Sequence, residues 1–393
     1  MSEPAFQLEA AERSLVAEVS DFADQSVAPA AAAWERDREF PLSTLQDAAR
    51  EGYLGLLVPR ALGGLELRPT AMAACMDTLA ARDFFFAFAL VVHNNLAGAI
   101  ARDGSDEHRS RYLPELLSGR RIGAFLLTEP GGGSDAAAIT SRASPDGAGW
   151  RLSGEKAWIS NAVGAGLLSI YAQTDPALGS RGIAAFLVEA ETPGVVRLPG
   201  YEILGGHALG TGGFRFDDCT VPETALFLAP GRAFKAAMAG IDLARVNVAA
   251  MCCGMLDTAI AGAVRYSRER RAFGRPLTDH QGLLWMLADA ATDLAAARAL
   301  TCEAARQLDA GESATLAAAH AKKFATRAAM THIAHCMQVY GARGMAADLP
   351  LGRHLAAAKM SQYLDGTTEI QNLVIGRALL AAADRPGSRD AMP

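Results

Sequence analysis

The run LSGEKAWISNA at residues 152–162 lies where the sequence changes character. From about residue 121 to 230, short apolar runs alternate with glycine and proline, which predicts strands rather than helices. Trp150–Ser153 and Lys156–Ser160 are predicted strands, and Gly154–Glu155 lies where a hairpin turn is expected. The other predicted strands are Leu167–Gln173, Ile183–Glu189, Val195–Leu198 and Phe214–Asp217. Strands this short and closely spaced indicate a small barrel or a pair of sheets.

Helical patterns flank this region on both sides. Before it, apolar residues recur three or four positions apart, as at Leu8, Val16, Val19 and Phe22. After it, four long amphipathic helices are predicted, which is the number in a four-helix bundle. They cover about residues 233–271, 283–298, 314–340 and 351–363. The predicted class is therefore mainly α with a middle β domain: an N-terminal helical domain (1–120), a β domain (121–230) and a C-terminal bundle with a tail (231–393).

Composition and charge narrow the function classes. A formal net charge of −6 argues against a nucleic-acid binder, although a few basic groups and helix N-termini suffice for a phosphate ligand. The cysteines form no CxxC pair, so neither a disulfide framework nor a zinc site is expected. The first residues lack the pattern of a signal peptide, and the apolar stretch Phe84–Val92 is about half the length of a membrane span. We expect a cytoplasmic protein without a metal or membrane partner.

Two motifs in the β region carry groups suited to binding. In LTEPGGGSD (127–135), three glycines let the backbone approach a ligand, and Thr128 and Ser134 supply hydroxyls. Such a loop taken alone is more often a plain surface loop. In WISN (158–161), Trp158 beside Ser160 can wall a flat heterocycle, although a lone tryptophan is more often part of the core.

Two further motifs lie in the C-terminal helical region. YSRERRAFGRP (266–276) places arginines and Phe273 at a helix end, where they can pair with phosphates and stack on an adenine, or simply be solvated. YLDGTTEIQ (363–371) places Asp365 at a turn before a helix, with the following N–H groups facing an anion or a carbonyl. The alternative is that Asp365 only caps that helix.

Together, and in this order, the motifs resemble those of the acyl-CoA dehydrogenase flavoenzymes. The matching runs are LLTEPGGGSDAAAI, LSGEKAWISNA, FDDCTVPE, YSRERRAFGRPLTDHQ, MQVYGARG and DGTTEIQNLVIGRALL. The resemblance extends from about residue 10 to 380 and implies the same three-part fold. It also implies FAD as cofactor, an acyl-CoA or acyl-carrier-protein substrate, electron-transfer flavoprotein as electron acceptor, and a homo-oligomer, either a dimer or a tetramer.

The resemblance also implies the site residues by position. In the family FAD lies between the middle domain and the bundle. The flavin and ribityl contacts would be Phe125, Leu127, Thr128, Gly133, Ser134, Trp158 and Ser160. The adenosine diphosphate contacts, partly from a neighbouring subunit, would be Arg270, Phe273, Gln281, Gln338, Ala342, Thr367 and Glu369, with Ala342 where the family usually has glycine. Ser134, Asp242 and Arg245 match positions that contact the pantetheine arm or orient the active site.

The implied reaction is α,β-dehydrogenation, in which a base removes the α proton and FAD N5 accepts the β hydride. The family's usual base is a glutamate, and Asp365 stands at that position; the alternative base position holds Ala244. Hydrogen bonds to the thioester carbonyl, one of them from the N–H of the base residue, stabilise the developing enolate. Because aspartate is one methylene shorter, about 1.5 Å, an unusual substrate such as a cyclic or branched acyl group is favoured.

Other interpretations stay open from the sequence. A flavin oxidase of the nitroalkane oxidase branch also uses an aspartate base, but that branch has an arginine shortly afterwards and residues 366–372 contain none. A non-catalytic flavin-binding paralogue is the third possibility. His93, Asn94 and Asn95 fall where family members line the acyl pocket, which would suit a polar acyl tail. His332 and His335 are three apart on a predicted helix and are expected to be a structural pair rather than metal ligands.

Overall fold

The computed structural model describes residues 6–384, which divide into two compact units. One, called here the sheet unit, consists of residues 18–68 and 85–241. The other, called the helical unit, contains residues 69–84 and 242–384 together with the described residues before 18. Helices predominate, and one large sheet lies between them in chain order, so the predicted fold class is confirmed. The three predicted domain boundaries stay a prediction, and the predicted tail lies outside the described residues apart from Asp384.

Six helices precede the sheet in the chain. They are α1 (Ala10–Phe22), α2 (Ala31–Asp37), α3 (Leu42–Arg50), α4 (Pro69–Ala80), α5 (Phe84–Asp103) and α6 (Asp106–Leu117). Helix α6 begins at a capping box, in which the Ser105 hydroxyl accepts from the His108 N–H at 3.1 Å. The His108 Nδ1 atom in turn accepts from the Ser105 N–H at 3.3 Å, so two N–H groups at the helix start are satisfied.

Eight strands of the sheet unit form one sheet. They are β1 (Ile122–Leu126), β2 (Arg142–Asp146), β3 (Gly149–Ile159), β4 (Ala165–Gln173), β5 (Ile183–Glu189), β6 (Val195–Arg197), β7 (Gly212–Pro222) and β8 (Leu226–Leu228). Their order is β6-β7-β3-β2-β4-β5-β8, and β1 pairs with β4 in parallel. The core under this sheet includes Phe186, Phe214 and Leu168, all buried. Every predicted strand overlaps one of these eight, with Ser160 and Leu198 each lying one residue past the end of the observed strand, whereas β1, β2 and β8 were not predicted.

The predicted hairpin turn at Gly154–Glu155 is wrong. Residues 149–159 form the single strand β3, which pairs with β7 along both halves. The pairing register shifts at Gly154, whose φ is 137°. A Cβ atom there would lie 2.5 Å from the Ser141 hydroxyl oxygen. Glycine at this position therefore serves a bulge and a close backbone approach rather than a turn.

From residue 233 to 384 the chain is again mainly helical. Its helices are α7 (Ala233–Glu269), α8 (Gln281–Asp309), α9 (Thr315–Tyr340), α10 (Leu351–Ser361) and α11 (Thr368–Ala383), with a small hairpin of β9 (Arg271–Ala272) and β10 (Arg275–Pro276). As predicted, α9 ends at Gly341, which has a φ of 59°. The fourth predicted helix is the short α10, and α11 follows it as a separate helix.

Two helices meet closely at Gly254 in the helical unit. A Cβ atom on Gly254 of α7 would lie 1.9 Å from the backbone oxygen of Asp77 on α4. Beside this crossing, Arg298 of α8 donates to both Asp77 and Asp257, with its Nη2 atom 3.0 Å from the Asp257 carboxylate. The glycine and this charged cluster together fix α4 against α7 and α8.

Replacing Gly254 by alanine is expected to lower the free energy of unfolding by about 1–3 kcal/mol, since the methyl group overlaps backbone that has no room to move. Denaturant unfolding measures the loss. Gly240 on the same helix is the matched control because its Cβ would meet nothing within 4 Å. Gly240→Ala should stabilise the protein by roughly 0.5–1 kcal/mol through helix propensity. Equal effects of the two changes would show that the helices separate without cost.

Helices α5 and α7 are long and apolar enough to cross a membrane, judged by length and composition alone. In their most apolar windows, however, 83% and 72% of the residues are buried inside the protein. Buried core helices pass the same test, so the pattern is weak evidence for a membrane span. The apolar stretch at Phe84–Val92 thus belongs to a helix that continues to Asp103.

Candidate active site

A buried ion pair anchors the glycine-rich loop that follows β1. The Lys156 ammonium, fully buried, donates to the Glu129 carboxylate at 2.8 Å and to the Leu127 carbonyl at 3.1 Å. Glu129 also accepts from the Ser141 N–H at 2.9 Å and from the Thr140 N–H and hydroxyl at 2.6 and 2.7 Å. Burial opposes ionisation, but Lys156 and these donors outweigh it and hold the pKa of Glu129 at about 2. The start of the loop is therefore rigid.

The tip of this loop is open. A Cβ atom on Gly131 or Gly132 would meet nothing within 4 Å, so both residues border open space, with the backbone of Gly132 hydrogen-bonded to that of Glu129. The structure brings the sheet-unit residues assigned by resemblance to the loop, to the strand before it and to the end of β3. Of these, Leu127 is buried, Phe125, Thr128 and Ser160 are partly buried, and Gly133, Ser134 and Trp158 are exposed.

The Trp158 ring projects outward, with 62% of the residue exposed. Its backbone has a φ of 57°, which is rare for a bulky residue. Asn161, with a φ of 63°, fixes the following turn by donating to the carbonyls of Ala89 and Gly123 at 3.0 and 3.1 Å. The Tyr201 ring packs edge-on against Trp158, with centroids 4.8 Å apart. Tyr201 was not predicted, because it lies much further along the chain than Trp158, in a stretch without a motif.

In the helical unit, an open cleft of about 630 Å³ brings together three of the assigned residues, Arg270, Gln338 and Ala342. Its other lining residues are Tyr266, Leu277, Leu283, Val339, Tyr340, Gly341 and Arg343. Two other residues assigned to the adenosine diphosphate site, Phe273 and Gln281, are not among the described residues that line this cleft. Phe273 lies in the β9–β10 hairpin, is 96% exposed and has a φ of 52°. A cation, an amide and aromatic rings in one cleft suit a nucleotide.

Asp365 occupies a strained turn between α10 and α11. Its φ is 49°, and Gly366 follows with a φ of 90°. The Thr367 hydroxyl caps α11 by accepting from the Ile370 N–H at 3.4 Å, so the interpretation of Asp365 as the helix cap is wrong. Within residues 6–384, the buried Oδ2 atom of Asp365 has no hydrogen-bond partner, and no acceptor faces its backbone N–H. Both groups are available to a ligand.

Three side chains hold this turn by its carbonyl groups. Arg245 Nε donates to the Asp365 carbonyl at 3.1 Å. Lys322 Nζ and Gln371 Nε2 donate to the Gly366 carbonyl at 2.6 and 2.9 Å. The backbone is thus fixed from one side, while the Asp365 carboxyl is left without a hydrogen-bond partner on Oδ2.

Charge and burial compete at the Asp365 carboxyl. Burial raises its pKa to about 6, against the lowering effect of the Lys322 and Arg245 charges. Arg245 is itself oriented by Asp242, whose carboxylate accepts from Nη1 at 3.0 Å. A carboxyl with a pKa near neutrality can accept a proton and release it again, as a general base requires.

Lys322 and Gln371 belong to this arrangement, although neither was predicted as a site residue. Lys322 lies on the buried face of α9 among alanines such as Ala318, Ala321 and Ala325. A lysine at an apolar register position of an amphipathic helix is a usable sequence signal, since lysine is almost never fully buried without a partner. Gln371 ends the run YLDGTTEIQ, but no role was predicted for its side chain.

Two other predicted groups have structural roles. The Asn94 amide is occupied by the backbone of Tyr53, Leu56 and Leu90, so it does not serve a polar acyl tail. His93, equally buried, accepts from the Gly123 N–H at 3.1 Å.

His332 pairs with Asp293 at 2.9 Å, and its ring centroid lies 5.3 Å from that of His335. Among residues 6–384, no group of three or more His, Cys, Asp or Glu side chains is placed to hold a metal.

Comparison with known proteins matches three consecutive segments of the chain. Residues 9–120, 124–219 and 231–380 match the models described as "Acyl-CoA dehydrogenase, N-terminal domain", "middle domain" and "C-terminal domain". Human short-chain specific acyl-CoA dehydrogenase is 38% identical over 92% of this chain and 88% of its own length. Butyryl-CoA dehydrogenase from Megasphaera elsdenii superposes with a TM-score of 0.92 at 31% identity, covering 95% and 99% of the two chains. The prolyl acyl carrier protein oxidase AnaB gives 0.90 at 25% identity, covering 95% and 100%.

Proposed function

The chain belongs to the acyl-CoA dehydrogenase family of oxidoreductases, whose members bind FAD, and on that premise we propose that it dehydrogenates an acyl-CoA thioester with Asp365 as the base. The observation that carries the proposal is the Asp365 turn. Its carboxyl oxygen Oδ2 is shielded but unpaired within the described residues, and its backbone N–H is free there as well. One residue thus offers a proton acceptor and a donor for a carbonyl.

The described residues fit FAD in both units. In the sheet unit, the open glycine backbone at Gly131 and Gly132 and the exposed Trp158 ring suit a flavin and its ribityl chain. In the helical unit, the cleft lined by Arg270 and Gln338 suits an adenosine diphosphate. FAD, when bound, would supply the acceptor for the β hydrogen, which leaves as hydride.

The residues of this chain would then handle the proton. The Asp365 carboxylate would take the α proton, and the electrons of that C–H bond would pass through an enolate into the α,β double bond. The Asp365 N–H would donate to the thioester carbonyl as negative charge develops on its oxygen. Arg245 and Lys322 would keep the turn in place from the other side, through the Asp365 and Gly366 carbonyls.

The substrate that we propose is a cyclic or branched acyl thioester. Aspartate reaches about 1.5 Å less far than glutamate, so the α carbon has to lie closer to the backbone. Ala244, at the position of the family's alternative base, is buried and carries no carboxylate. We expect electron-transfer flavoprotein as the electron acceptor and a homo-oligomeric assembly.

Anaerobic flavin bleaching of the purified protein against straight, branched and cyclic acyl-CoAs tests this proposal. We expect a branched or cyclic member of the panel to bleach the flavin faster than straight chains of equal carbon number. Bleaching by straight chains alone would contradict the substrate class. Absence of bleaching with every thioester, free or carrier-bound, would contradict the proposed function.

A second candidate is oxidation of an acyl group on a carrier protein, and the similarity to AnaB favours it. Two measurements separate the candidates. An oxidase consumes oxygen with substrate, whereas a dehydrogenase needs an added electron acceptor. If the enzyme acts on carrier-bound substrates, its flavin is bleached by the carrier-bound thioester and only weakly by the matching acyl-CoA.

A further inference from the structure

We propose that Lys322 is a positioning residue for the base: it holds the Asp365–Gly366 turn through the Gly366 carbonyl and keeps a positive charge facing the Asp365 carboxyl. This inference rests on the proposed function in that it takes Asp365 as the base. It adds a residue that no motif identified and assigns it a measurable effect on Asp365.

The geometry of Lys322 is unusual for a lysine. It lies on α9 with 1% of its surface exposed, and its Nζ atom is 2.6 Å from the Gly366 carbonyl oxygen. An ammonium group has three N–H donors, and within the described residues the structure gives it this single hydrogen bond. A buried charge with so little hydrogen bonding is costly unless an opposite charge faces it. The Asp365 carboxyl meets that need.

The charges around the pair are few. Lys322 faces Asp365, the Cys252 thiol, Arg245 and Glu369, and Asp365 faces Lys322 and Arg245. Burial lowers the pKa of Lys322 to about 8, with Asp365 the strongest opposing influence, so the amine is still mainly protonated at pH 7. Because burial alone would raise the pKa of Asp365, loss of the Lys322 charge should raise it further.

The turn should survive removal of the ammonium group. Gln371 donates to the same Gly366 carbonyl at 2.9 Å, and Arg245 still holds the Asp365 carbonyl at 3.1 Å. Methionine fills a similar volume on the buried face of α9. A folded, flavin-containing Lys322→Met protein is therefore expected, and its defects report on the turn and its charge.

The kinetic test compares Lys322→Met with Lys323→Met, which removes the neighbouring lysine of the same helix. For Lys322→Met we expect the maximal bleaching rate to fall by about 10²-fold and the acid limb of its pH profile to move up by about one pH unit. FAD content should stay unchanged. Lys323→Met should match the wild type, and Lys322→Arg, which keeps the charge, should restore the acid limb.

A second readout needs no activity. Asp365 has an ordinary pKa of 3.8, raised to about 6 in the folded protein, so its ionisation weakens the fold as pH rises through that window. The melting temperature of Asp365→Asn minus that of the wild type should therefore increase as pH rises from about 4. The difference should become constant above about pH 6, and the pH at which it does so is called here the levelling point. In the Lys322→Met background, the levelling point should move up by about one pH unit.

The outcomes separate the two proposals. If neither the acid limb nor the levelling point moves in Lys322→Met relative to Lys323→Met, the role of Lys322 is refuted. If the levelling point moves but no thioester bleaches the wild type, the proposed function fails while the electrostatic hold of Lys322 on Asp365 stands.

Discussion

Flavin bleaching should slow by about 10⁴-fold when Asp365 is replaced by asparagine, which is the upper range for loss of a general base. Asparagine keeps the size of the side chain and the backbone N–H, but it cannot accept the α proton. No second carboxylate is available at the alternative position, where Ala244 is buried. The measurement is anaerobic stopped-flow absorbance with the thioester that bleaches the wild type fastest.

Two variants accompany this experiment. Asp289→Asn removes an exposed carboxylate on α8 and should leave the bleaching rate unchanged. Asp365→Glu restores the longer side chain typical of the family and should shift the preference towards straight-chain thioesters. If the flavin of Asp365→Asn bleaches at the wild-type rate, the base lies elsewhere, whatever the substrate.

The largest loss of stability is expected from Lys156→Met in the sheet unit. The change leaves the Glu129 carboxylate, 6% exposed, without its cation. Breaking a buried pair in this way lowers the free energy of unfolding by about 3–5 kcal/mol. Because Lys156 also donates to the Leu127 carbonyl, the glycine-rich loop should lose its fixed start and FAD should bind more weakly. Denaturant unfolding and the flavin content after dialysis measure the two effects.

A second substitution separates charge from packing in this prediction. In Lys156→Met/Glu129→Gln, the neutral amide oxygen can take the place of Oε2 and still accept from the Thr140 N–H and hydroxyl, while the Ser141 N–H loses its acceptor. Because no charge is left unpaired, part of the lost stability should return. Lys235→Met, at an exposed lysine, is the control and should change stability by less than about 0.5 kcal/mol. If the double variant is no more stable than Lys156→Met, the unpaired charge is not the cause.

The architecture was predictable because it depends on repeated local patterns. Alternation and helical spacing recur over many residues, so the order of helices, sheet and helices follows even where single elements are misjudged. Gly154 shows how such an error arises: a glycine between two apolar runs favours a turn locally, yet the approach of Ser141, just before β2, makes it a bulge. That contact depends on how β2 pairs with β3 and has no signature at Gly154 itself.

The site was predictable only where its residues lie in motifs. The resemblance led to Asp365 and to Arg270, Gln338 and Ala342, the last three of which the structure brings to one cleft. It did not lead to Lys322 or Tyr201, because what they do depends on which side chain lies opposite them. Pairing across helices or strands is set by packing, which a single sequence does not reveal.

Three residues of the assigned site, Trp158, Phe273 and Asp365, have φ angles of 57°, 52° and 49°. Each such conformation disfavours an L-residue by about 1–2 kcal/mol, and glycine adopts it freely. A laboratory evolution campaign that selects only for heat resistance should therefore enrich glycine at these positions. The selected variants would be more heat-stable but would lack an indole, a phenyl ring and a carboxylate. Each round of such a selection therefore also needs a screen for enzymatic turnover.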